Sequence, residues 1–77
     1  MLGFLINDQE KKEMEYIVKR ELDEILFDLQ DGRIDALVKR AMEDRYKVLF
    51  NIFKRVASSK ECMKYIRTKT ASRRDHI

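Results

Sequence analysis

The chain has 77 residues, with seventeen Lys/Arg against fourteen Asp/Glu and a formal charge of +3. One domain is the most this length supports, and chains this short bury only roughly 60% of the surface they expose when unfolded. A single Cys excludes an intrachain disulfide, a single His argues against a Cys/His metal site, and 44% hydrophobic residues with no Pro describe an ordered helical protein.

The chain begins with the apolar run Met1-Leu2-Gly3-Phe4-Leu5-Ile6. It is far shorter than the roughly 20 residues of a membrane span, and it lacks the basic start of a signal peptide. With one lone cysteine, this reads as a cytoplasmic protein with no membrane partner. The hexad has two possible roles, stapling onto the first helix or entering a partner groove.

A first helix is expected over about 8–31. Asn7 can cap it, with Glu10 reaching back as in a capping box. Val18, Leu22, Ile25 and Leu29 recur at helical spacing and form its apolar face, extended by Met14 and widened by Ile17, Leu26 and Phe27. Gly32 should end the helix by taking the left-handed conformation just beyond its C-terminus.

The second helix should run over about 35–57 and carry two apolar stripes. One reads Met42, Tyr46, Leu49, Phe53, Val56; the other reads Ile34, Val38, Ala41, Val48, Ile52. Two stripes are more apolar surface than one partner helix covers. Ser58-Ser59-Lys60-Glu61 has the form of a capping box and opens a short third helix over about 59–68, packing through Cys62 and Ile66. A basic tail over 69–77 shows no periodicity.

The expected fold is all-α: one domain, 1–77, built as an antiparallel hairpin of two long helices plus the short third one. Residues 1–31 hold four Lys/Arg against nine Asp/Glu, a net of −5, whereas residues 32–77 hold thirteen against five, a net of +8. Folding back at Gly32 lays an acidic helix on a basic one and should bring Glu10, Glu13 and Glu15 near Lys54 and Arg55. A core this small usually needs support from elsewhere, so a homodimer with a four-helix arrangement is expected. Tyr46, Leu49, Phe50 and Phe53 are the candidate oligomer or partner face.

No enclosed set of nucleophile, base and oxyanion donors is legible, so no enzyme, cofactor or small-molecule substrate is expected. The acids of the first helix read as a solvated face, and no Glu-x-x-His pair accompanies them. Lys54, Arg55, Lys60, Lys64, Arg67, Arg73 and Arg74 are the candidate face for an anionic partner, with Lys60, Lys64 and Arg67 sharing one side of the third helix. The function expected is therefore a small non-enzymatic regulator acting through helix-face contacts with another protein. The alternative is a nucleic-acid or ribonucleoprotein accessory factor using the basic C-terminal stretch. In outline the pattern is similar to small helical-hairpin regulators of bacterial sensor kinases, but no shared motif transfers any residue.

Overall fold

The computed structural model describes residues 1–67. Two long helices, α1 (Asp8–Leu29) and α2 (Ala36–Val56), fold back on each other, and a short α3 (Ser59–Met63) follows. Arg73, Arg74, the last residue expected of the third helix and the tail 69–77 lie outside the described residues.

Local chemistry sets each helix start. The Asn7 side chain accepts from the Glu10 N–H at 2.8 Å, and the Glu10 carboxylate accepts from the Asn7 N–H at 2.9 Å. This satisfies two groups at the open N-terminus of α1. Asp35 caps α2 by accepting from the Leu37 N–H at 2.9 Å. Ser58 accepts from the Glu61 N–H at 3.3 Å. The Glu61 carboxylate, which would complete that capping box, turns instead to Lys19 and Lys64.

The turn corrects the role given to Gly32, because no glycine among the described residues has a positive φ. α1 ends at Leu29, and the residue that caps it, Gln30, is still right-handed, its N–H reaching back to Phe27 and Asp28. Asp31 then accepts from the Arg33 N–H at 2.9 Å and pairs with its guanidinium at 3.0 Å. The guanidinium holds the Asp31 carboxyl below its ordinary pKa, with the backbone hydrogen bond acting the same way. The bend is thus set by an aspartate whose side chain imitates a turn, and a left-handed residue is not required.

The core is the α1 stripe against the first α2 stripe, closed at one end by the C-terminal segment. Val18, Leu22 and Ile25 meet Tyr46 and Phe53, with Tyr65 completing the buried set. Leu29, Met42 and Leu49 pack on its edge, whereas Val38 is 51% exposed. Val38 belongs to the second stripe, whose Ile52 packs on the core while Val38 and Val48 stay exposed. Phe53 is fully buried and meets the Tyr65 ring edge-on at a centroid distance of 5.3 Å, a geometry that aromatic quadrupoles favour.

Candidate functional site

Two ion-pair systems show that the hairpin has two unlike faces. Lys19 bonds Glu61 at 3.3 Å, and Arg67 pairs with Glu43, so Lys19 and Glu43 lie on the side covered by α3 and the segment after it. Glu21 and Arg45 join across the helices at 3.2 Å. Each lies two residues from Lys19 and Glu43 respectively. At 3.6 residues per turn, two positions are about 200° apart. The Glu21–Arg45 pair therefore marks the opposite face, which among the described residues no third element covers.

That uncovered face carries the second stripe. Val38 is 51% exposed and Val48 61%, Ala41 is exposed, and Ile34 and Ile52 are half-buried. On the α1 side it continues through half-buried Met14 and exposed Ile17. Exposed apolar patches of this kind mark interaction sites more often than scattered single residues do.

The apolar residues first expected to face a partner lie elsewhere. Tyr46 is 4% exposed and Phe53 is fully buried, while Leu49 and Phe50 are half-buried against the same core. They sit on the stripe that meets α1, so the hairpin itself consumes them. The sequence held the signal that separates the stripes. Arg45 interrupts the second one, and a cation is tolerated where a flank stays wet.

The basic set is dispersed and partly engaged. Lys54 lies over the Phe50 ring at 5.4 Å, on the side turned away from the α1 acids. No ion pair among the described residues joins Lys54 or Arg55 to Glu10, Glu13 or Glu15. Glu21–Arg45 is the pair that crosses between α1 and α2 there. Lys60 and Lys64 sit at α3, Lys64 bonding Glu61 at 2.9 Å. Arg67 stands over the Tyr46 ring at 5.7 Å. Because α3 ends at Met63, Lys60, Lys64 and Arg67 do not share one helical face.

For the same reason Ile66 is exposed and Tyr65 is the residue turned inward, with Cys62 half-buried beside the core. The Tyr46 hydroxyl donates to the Tyr65 carbonyl at 2.6 Å, clasping this segment to α2. Burial raises the pKa of both tyrosines, and the Asp23 carboxylate adds to the effect on Tyr65. Lys64, then Lys19, lowers that of Glu61.

An open groove of about 520 Å³ also lies between α2 and Arg67, lined by Lys39, Arg40, Glu43, Asp44 and Lys47. Sequence reading passed over Lys39, Arg40 and Lys47, although their spacing of seven to eight residues places them on one side of α2. Among the described residues no helix is long and apolar enough to cross a membrane. No group of three or more His, Cys, Asp or Glu is placed there to hold a metal ion. Comparison with protein-family models, curated proteins and solved structures finds no match.

Proposed function

We propose that this chain is a small non-enzymatic interaction protein of the cytoplasm, which regulates another macromolecule through helix-face contacts. One observation carries the reading: α2 has two apolar stripes and the hairpin leaves much of the second one exposed. The uncovered stripe keeps Val48 61% and Val38 51% exposed, and burying such side chains returns about 25 cal/mol for each Å² removed from water. A homodimer is the smallest assembly that covers it.

The test uses affinity capture from a nuclease-treated extract, at low and high salt. Polypeptide partners should persist at high salt and disappear with Val48→Asp, since apolar contacts are little screened. The alternative reading is a nucleic-acid or ribonucleoprotein accessory factor, favoured by the cations of the groove beside Arg67 and by the basic C-terminal stretch. Capture that vanishes with nuclease or salt, yet survives Val48→Asp, would establish that alternative instead.

A further inference from the structure

The cations of α2 gather on one edge, the side that faces Arg67 and Phe50. Arg40, Lys47 and Lys54 recur every seven residues, with Asp44 and Asn51 between them, and all five side chains are exposed. Along this edge the open groove of about 520 Å³ brings Lys39, Arg40 and Lys47 together with Arg67. Among the described residues Lys39, Arg40, Lys47 and Lys54 enter no ion pair, while the Glu43 carboxylate in the groove is engaged by Arg67. Four unpaired cations thus stand against one unpaired carboxylate, Asp44.

We infer that this edge binds the sugar–phosphate backbone of a nucleic-acid duplex, without regard to sequence. The inference goes beyond the helix-face reading and deepens the second one, on which it rests, by naming the surface and the form of nucleic acid. Charge complementarity argues the class. Phosphates need positive charge and hydrogen-bond donors alone, whereas a polypeptide partner needs a desolvated anchor at the centre of its contact. The edge offers no such anchor, because its exposed positions are Arg, Asp, Lys, Asn and Lys. In the groove the apolar lining is Leu29 and Ala36, both beside the bend.

Geometry argues the duplex. Proteins that hold single strands stack the bases on aromatic rings. The two rings on this side are not free to stack: Tyr46 is 4% exposed beneath Arg67, and Phe50 is half-buried beneath Lys54. From Arg40 to Lys54 the row runs for about 21 Å, and one strand of a duplex presents a phosphate every ~3.4 Å of axis, so about six phosphates can pass along it. Arg67, the last of the described residues, lines the groove, and the sequence continues from it with Lys69, Arg73 and Arg74 against one acid, Asp75.

The full-length chain tests this by fluorescence anisotropy against labelled DNA and RNA duplexes longer than the row, a single strand and a polyglutamate peptide. Either duplex should bind at low salt, and the tighter of the two names the natural form. With four phosphates neutralised, affinity for the DNA duplex should fall roughly 150-fold between about 50 and 200 mM salt, since the log–log slope is about −0.9 per phosphate. Arg40→Gln with Lys47→Gln and Lys54→Gln should cut that fall to about three- to four-fold, each change lowering the slope by about 1. Helical circular dichroism should not change, because all three side chains are exposed. Removing the same charge from α1, as Lys11→Gln with Lys12→Gln and Arg20→Gln, should leave the slope as it was. A slope unmoved by the α2 triple, or lowered equally by the α1 triple, overturns the site. Tighter binding of the single strand overturns the duplex, and tighter binding of polyglutamate overturns nucleic acid as the class. Failure of both duplexes to bind overturns the inference, and the second reading of the function then stands only where nuclease-sensitive capture persists.

Discussion

Replacing Tyr46 with phenylalanine removes one oxygen and leaves the packing almost untouched. That oxygen donates to the Tyr65 carbonyl at 2.6 Å, between two side chains that are 4% and 7% exposed. The ring keeps its place beside Phe50 at a centroid distance of 6.4 Å and under Arg67 at 5.7 Å. What changes is a buried carbonyl left without its donor, at a cost of about 1–2 kcal/mol. A domain of this size loses about 4–8 °C of Tm per kcal/mol, so the midpoint should fall by roughly 4–16 °C. Thermal unfolding followed by circular dichroism at one fixed protein concentration measures this, and amide exchange localises it. The amides of Cys62 to Tyr65 should lose protection before those of α1. An unchanged midpoint with unchanged exchange at Tyr65 would show that the clasp contributes nothing and that the C-terminal segment is held by other contacts.

Phe53→Ala opens a cavity at the most buried ring of the core and should cost about 3–5 kcal/mol. Urea unfolding should show α1 and α2 melting together, and a loss below about 1 kcal/mol would contradict the central place given to Phe53. Gly32→Ala should be neutral or stabilising by about 0.4–1 kcal/mol. A Cβ there meets nothing within 4 Å and no positive φ is needed, so a clear drop in Tm would refute the turn geometry. Glu61 has its pKa lowered from 4.5 by Lys64 and Lys19. The stability it lends is present above its unfolded value and is lost as pH falls through the lowered one. Glu61→Gln should therefore flatten part of the fall in Tm between about pH 5 and pH 3, and an identical acid limb in both proteins would show that these contacts do not favour the folded state.

The two long helices were legible because their signals agree at several levels. The Asn7–Glu10 box, the Val18–Leu22–Ile25 stripe and the Ser58 start each follow from spacing and local hydrogen bonding. The side of α2 that meets α1 was harder to read. Both stripes have helical periodicity, and periodicity does not say which one a neighbour covers. Arg45 was the discriminating residue, since a cation reaching Glu21 belongs on a flank. The early end of α3 defeated the spacing argument for Ile66 and Arg67. Five residues make too little helix to carry a period onward, and burial of Tyr65 decided the local path instead. The turn was placed correctly for a partly wrong reason, because glycine promised a left-handed residue and aspartate supplied the bend.

The core also lies away from that bend. From Ala36 to Arg45 no residue of α2 is buried, whereas Phe53, Val56 and Tyr65 at the far end are. The covalent link between the helices therefore acts mainly as a tether, raising the local concentration of one helix around the other to about the millimolar range. Cutting it removes that advantage and leaves the recognition surfaces intact. Peptides 1–31 and 33–77 should each be weakly helical alone and gain helix on mixing, with a midpoint that rises with concentration. Two pieces that ignore each other would mean that the turn directs the pairing. Complementation would make this hairpin a separable pair of matched helices, joined for proximity and not for shape.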